Sequence, residues 1–189
     1  MQTYFDDYDY QLLLPHKMSQ FGPSLALGDI NNDGLDDFYI GGSSRQQGTI
    51  YQQNVDGTFK SLQLDAIWKG ELKCEDIGAV VFDLNKDGYV DLYVVSGGNE
   101  FEKDSNSYQD RLYINNQNGE FIKTSTTLSN INSSGSMVIP ADFDGDGDLD
   151  LATANNGCTK VPVIVGGGTG NSDLVNKYAA GAASRWSIF

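Results

Sequence analysis

The sequence predicts an all-β fold of repeated four-stranded antiparallel sheets, and three observations predict it. A nine-residue acidic loop is written three times, at Asp29–Asp37, Asp83–Asp91 and Asp142–Asp150. Short runs of β-branched and aromatic residues flank every copy and read as strands. The copies are nearly evenly spaced, with 54 residues from Asp29 to Asp83 and 59 from Asp83 to Asp142. Four-stranded sheets recurring at a fixed period are what β-propeller blades look like in sequence.

Each element follows from its residues. The loops read D-x-[DN]-x-D-G-x-x-D. Side-chain oxygens at positions 1, 3, 5 and 9, with a backbone carbonyl at 7, suit a hard cation of calcium's size. The candidate ligands are therefore Asp29, Asn31, Asp33, Leu35 and Asp37 in the first loop, and Asp83, Asn85, Asp87, Tyr89 and Asp91 in the second. Asp142, Asp144, Asp146, Asp148 and Asp150 are those of the third. Leu35, Tyr89 and Asp148 would contribute main-chain oxygens. The glycine at position 6 permits the tight turn that brings the oxygens inward. Asp, Asn and Gly also make ordinary turns. A turn, however, needs two or three such residues, not four oxygen-bearing positions at alternating spacing. Ten of the 26 acidic side chains occupy positions 1, 3, 5 and 9, and without a cation they would repel one another.

The EF-hand is excluded as the source of these loops. It needs a bidentate glutamate at position 12, where this chain has Ile40, Val94 and Thr153. It also needs flanking helices. Here Ser24–Leu27, Ala79–Phe82 and Met137–Ile139 precede the loops, and Phe38–Ile40, Leu92–Val95 and Leu151–Thr153 follow them. Gly41-Gly42 and Gly97-Gly98 come next in the first two repeats, and Asn155-Asn156-Gly157 in the third. A second hairpin follows at Thr49–Phe59 and again at Arg111–Phe121, turned by Asp56-Gly57 and Asn118-Gly119. One unit is thus strand, acidic loop, strand, link, strand, tight turn, strand.

These loops, their strands and the Leu-Tyr-x-Asn-Asn hairpin with its closing Gly-x-Phe resemble FG-GAP/VCBS repeats over roughly residues 15 to 155. Such repeats form β-propellers, including the calcium-bearing propeller of integrin α chains. The segment Leu13–Pro23 is similar to one found in large secreted proteins with these repeats. The resemblance implies Ca²⁺ at positions 1, 3, 5, 7 and 9 of each loop, about three ions per chain. It also implies a propeller of about seven blades, of which this chain would hold two full blades and part of a third. The expected divisions are a lead-in at 1–20, blades at 21–70 and 71–130, a partial blade at 131–157, and an atypical tail at 158–189. In that tail Val161–Val165 could supply one strand, and Leu174–Trp186 has weak helical potential.

Composition narrows the function. At 189 residues and 39% hydrophobic, the chain can bury one ordinary core. A net charge of −14 with only 12 Lys and Arg argues against nucleic acid and anionic membrane surfaces. No apolar run approaches the ~20 residues of a membrane span. The acidic N-terminus, Met1–Asp7, does not read as a signal peptide. Calcium loops of this kind favour an extracellular, cell-surface or periplasmic setting. Cys74 and Cys158 hold non-corresponding places in their repeats and are expected as free thiols, a bridge between neighbouring blades being the alternative.

Catalysis has little support. His16 is the only histidine and lies outside the repeats. Gly166–Gly170 lacks the Lys-Ser/Thr of a phosphate loop. Paired aspartates can act as acid and base, but calcium explains their spacing better. The expectation is a non-enzymatic calcium-binding segment of a secreted or cell-surface binding or adhesion protein, with a protein or glycan partner. The alternatives are the non-catalytic part of a propeller-based carbohydrate-active enzyme and a structural scaffold. Ser43–Gln47 and Asn99–Tyr108 are the candidate binding loops. Open sheet edges at both ends predict either further blades or a homo-oligomer paired through those edges.

Overall fold

The computed structural model describes residues 6–10, 22–43, 45–62, 71–98, 100–102, 105–117, 120–124, 134–155, 161–164 and 175–178. A short helix, α1 (Asp7–Tyr10), precedes the strands. The first sheet is β1 (Leu25–Gly28), β2 (Asp37–Ile40), β3 (Thr49–Gln53) and β4 (Phe59–Ser61). The second is β5 (Asp76–Phe82), β6 (Asp91–Ser96), β7 (Arg111–Asn115) and β8 (Phe121–Lys123). The third is β9 (Gly135–Ala141), β10 (Asp150–Asn155), β11 (Val161–Ile164) and β12 (Val175–Tyr178). In all three, strands pair antiparallel in chain order.

The all-β expectation holds, and the third sheet corrects it in one respect. Part of a blade was expected there, yet four strands are present. Val175–Tyr178, read from sequence as weakly helical, pairs with β11 in the register Val161↔Tyr178 to Ile164↔Val175. The edge of β11 supplies main-chain partners that outweigh a weak local preference. His16, Cys158, Gly166–Gly168, and the Asn118-Gly119 turn lie outside the described residues. The equivalent Asp56-Gly57 turn closes as predicted, with Asn54 N–H donating to the Thr58 carbonyl at 2.7 Å and Gly57 at φ +82°.

A meander sorts its connections by end. The acidic loops (β1–β2, β5–β6, β9–β10) and the tight hairpins share one end of the sheets. The longer β2–β3 and β6–β7 links lie at the other.

The sheets pack face to face, with the second sandwiched between the others. Period-two alternation along β6 divides its side chains between two cores. Leu92 and Val94 join Ala26, Ile30, Tyr39 and Ile50 against the first sheet. Tyr93 and Val95 join Leu151 and Ile164 against the third. All six β6 residues are buried for this reason. The first strands also meet in series, β5 packing against both β1 and β9, as inner strands of adjacent blades would.

Among the described residues, no further sheet covers the outward faces of the terminal sheets. Leu25 and Leu27 are exposed on the first, and Phe38 there stacks on Tyr51 at 5.0 Å and meets Phe59 edge-on at 4.9 Å. Met137 and Ile139 are exposed on the third.

A buried polar network ties the first two sheets together at the end away from the acidic loops. The Asp76 carboxylate accepts from Tyr39 Oη at 2.7 Å and from Gly42 N–H at 2.6 Å. It also pairs with the buried Arg111 guanidinium. Burial opposes the charge on Arg111, and Asp76 more than compensates, so the guanidinium stays ionised. Glu71 stands 3.9 Å from Arg111 and also pairs with Lys123. Next to Asp76, the buried Glu75 carboxyl is pushed up to about 8 by desolvation, then by the charges of Glu100, Asp7 and Asp76.

Two predictions follow from this packing. Leu92→Ala should lower unfolding free energy by about 2–5 kcal/mol, whereas Leu27→Ala, on the uncovered face, should stay within about 0.5 kcal/mol. Urea titration of the chain reads both, and equal losses would contradict the sandwich. A carboxyl raised in the folded state costs nothing below its unfolded value, near 4.5 for Glu75. The cost grows as pH rises and is complete above about 8. Glu75→Gln should therefore melt with a smaller drop between pH 5 and about 9 than the parent chain; identical pH profiles would refute the assignment.

Candidate metal centre

The three acidic loops fold alike because each winds around its own carboxylates. In the first, Asp29 accepts from Asp33 N–H at 3.0 Å and from Gly34 N–H at 2.8 Å. In the second, Asp83 accepts from Asp87 N–H at 3.2 Å and from Gly88 N–H at 2.9 Å. In the third, Asp142 accepts from Gly145 N–H at 2.7 Å and from Gly147 N–H at 3.0 Å. Position 3 accepts from the position 5 N–H at 3.1, 3.0 and 3.2 Å in turn. Position 5 accepts from the position 7 N–H at 2.9, 2.9 and 2.8 Å. These bonds fold the side chains of positions 1, 3 and 5 back onto their own loop.

The turn requires glycine at position 6. Gly34, Gly88 and Gly147 have φ of +85°, +89° and +89°, a region costly for residues with a Cβ.

The structure brings the predicted ligands together unequally. Asp142, Asp144 and Asp146 each place a carboxylate oxygen within 4.8 Å of the others. Oxygens bound to one Ca²⁺ at about 2.3–2.6 Å lie no more than about 5 Å apart, so this group fits the ion. The exposed Asp144 carboxyl is raised: a hydrogen bond from Asp146 N–H favours its charge, and slight desolvation with the charges of Asp146, Asp150 and Asp142 outweighs that bond. In the other loops Asn takes position 3. Its amide donates to the position 5 carboxylate, Asn31 to Asp33 at 2.9 Å and Asn85 to Asp87 at 3.1 Å.

Position 9 stands apart. Asp37, Asp91 and Asp150 are fully buried. Asp37 accepts from Ile30 N–H at 3.1 Å with one oxygen and from Gln53 N–H, at the end of β3, at 2.8 Å with the other. Asp91 does the same with Leu84 at 3.1 Å and Asn115 at 2.9 Å. Asp150 accepts from Phe143 N–H at 2.8 Å. This aspartate fastens the loop to the strands beneath it, a structural task the motif does not announce. Burial pushes the Asp91 carboxyl up to about 7 against these two hydrogen bonds. Burial likewise raises Asp37.

Two kinds of contributing residue were missed in the sequence. Asn115 donates through its amide to the Ile30 carbonyl at 2.8 Å and the Val90 carbonyl at 3.2 Å, joining the first two loops to β7. Its place in the Leu-Tyr-x-Asn-Asn hairpin is the sequence signal for that role. The residues at position 4, Asn32 and Lys86, also touch neighbouring loops.

A family model for the FG-GAP-like repeat matches residues 29–94 and again 83–153. These matches span most of the chain and overlap on the second loop, so the chain belongs to the FG-GAP-like repeat family, as the loops and hairpins suggested. A search of curated proteins gives no match.

Substitutions in chelator separate the two duties of these acids. Asp91→Ala strands two buried N–H groups and should lose roughly 1–3 kcal/mol without any metal. Asp87→Ala, near the loop tip, should lose about 1 kcal/mol or less under the same conditions. Denaturant unfolding in excess chelator checks both, and the opposite ranking would overturn the role given to position 9.

Proposed function

We propose that the chain is a calcium-stabilised segment of a β-propeller that serves a non-enzymatic binding or adhesion protein. The observation that carries the reading is the shared loop geometry, with three carboxylates of the third loop converging within 4.8 Å. The ion's task is structural. It cancels repulsion among acids that each loop crowds together and fixes the turn between two strands.

The propeller reading draws support from the family, the four-stranded meanders and the serial packing of β1, β5 and β9. Leu25, Leu27, Phe38, Tyr51 and Phe59 on one outer face, and Met137 and Ile139 on the other, are where further blades would pack. A calcium-rich setting outside the cytosol, extracellular, cell-surface or periplasmic, suits such loops. The partner, a protein or a glycan, would meet the end opposite the metal loops. There the link between β6 and β7 carries Phe101 packed edge-on to Tyr108 at 5.9 Å, with the Tyr108 hydroxyl bonded to the Phe101 main chain.

Calorimetry on chelator-treated protein should find about three Ca²⁺ per chain, which would move the formal charge from −14 to about −8. Asp83→Ala should remove one of these sites and the stabilisation that comes with it. Asp36→Ala, at the non-ligand position 8, should leave uptake intact. No calcium uptake, or equal effects of the two substitutions, would refute the reading.

A further inference from the structure

The loops of adjacent sheets touch, and the contact recurs at the same place. In the first loop Asn32, at position 4, sends its amide to the Gly88 carbonyl, at position 6 of the second loop, at 2.7 Å. In the second loop Lys86, also at position 4, pairs with the Asp148 carboxylate, at position 7 of the third. Both position 4 residues are left-handed, Asn32 at φ 58° and Lys86 at φ 55°. That conformation is uncommon for residues with a Cβ, and asparagine accepts it better than lysine. The side chains leave their own loop's centre and reach the turn of the next. Gly145 holds position 4 in the third loop, with no side chain to extend the series.

The contacted positions matter for a bound ion. Gly88 carries the positive φ that closes the second loop. Asp148 is the residue whose main-chain oxygen would face the ion in the third, and its side chain is buried under Lys86. A loop drawn tight on its ion holds its position 6 and 7 backbone in one arrangement. The position 4 side chain of the preceding loop then finds its acceptor in place. By the same contact, an ordered preceding loop restrains its neighbour's backbone before the ion arrives.

Resting on the calcium reading above, we propose that the metal loops are coupled in series, with Asn32 and Lys86 as positioning residues that raise the neighbouring loop's affinity without being ligands. Coupling between binding sites is reciprocal, so each loop's ion should favour the next.

Asn32 gives the cleaner test. Removing Lys86 also removes a positive charge beside an acidic loop, which by itself favours cation binding. Asn32→Gly changes no charge and suits φ 58° without strain. The second loop can be read alone. Tyr89 stands at its position 7, where the other loops have Leu35 and Asp148, so tyrosine-sensitised Tb³⁺ emission reports that loop.

Tb³⁺ titration of Asn32→Gly should show the second loop's affinity reduced roughly two- to tenfold, the equivalent of one net hydrogen bond. Its melting temperature in chelator should match the parent chain's. Unchanged affinity would overturn the coupling while leaving the calcium reading intact. An equal loss of stability with and without ion would also overturn it, making the contact ordinary packing. A parent chain that takes up neither Tb³⁺ nor Ca²⁺ would refute the calcium reading and the coupling with it.

Discussion

The carboxylate at loop position 9 is the interaction on which the rest of the architecture depends. Asp37 and Asp91 each spend one oxygen on the N–H of loop position 2 and the other on the third strand of their sheet. One side chain thereby fixes where the acidic loop begins and ends, and how the β2 or β6 hairpin sits against its next strand. Ile30 and Leu84, whose N–H groups it holds, are themselves buried. Ile30 packs in the core between the first two sheets, and Leu84 in the core between the second and third. The loop's charged outer face and the apolar interior are therefore anchored through the same aspartate.

This arrangement carries a cost that accounts for the loop's composition. Burial raises Asp91, and the two hydrogen bonds it receives favour its charge without offsetting that burial. The acids at positions 1 and 5 add further negative charge close by. A divalent cation at the centre of positions 1, 3 and 5 would offset this charge where the backbone N–H groups cannot reach, because those groups already bind oxygens along the loop's length. Loops one and two lower the burden with Asn31 and Asn85, whose amides donate to the neighbouring carboxylates. The third keeps Asp144 instead and gathers three carboxylates.

Much of this was legible in the sequence because the signal was periodic. The triple acidic motif and its β-branched flanks gave the strands of the first two sheets, and the Asp-Gly dipeptide gave the hairpin between β3 and β4. In the third loop, Asp142, Asp144 and Asp146 were legible as converging carboxylates because alternate residues on a tight turn face one way. Position 9 was legible as an acid but not as a buried fastener, since its partners Gln53 and Asn115 lie on a different strand. β12 was illegible for a related reason. Nothing local in Val175–Tyr178 outweighs its alanine-rich surroundings, and only the waiting edge of β11 makes it a strand. The Asp76–Arg111 pair joins residues 35 apart with no motif to link them.

The loops and the sheet faces constrain each other across the repeats. The face a sheet turns toward its successor carries Tyr39 in the first sheet and Tyr93 in the second, and each hydroxyl finds a buried aspartate, Asp76 or Asp110. Ala152 holds the corresponding place in the third sheet, where no described sheet follows. The large side chain thus appears where there is a neighbour to receive it and a carboxylate to satisfy it. At the loop end the same logic holds for position 4: Asn32 and Lys86 reach the next loop, and Gly145 has no described loop to reach. Both ends of the sheets encode adjacency, the tyrosines through buried area and a hydroxyl, the loops through polar contacts between their turns. A repeat that displaced its neighbour's loop would therefore disturb the packing of the tyrosine beneath it, because β2 and β6 join the two.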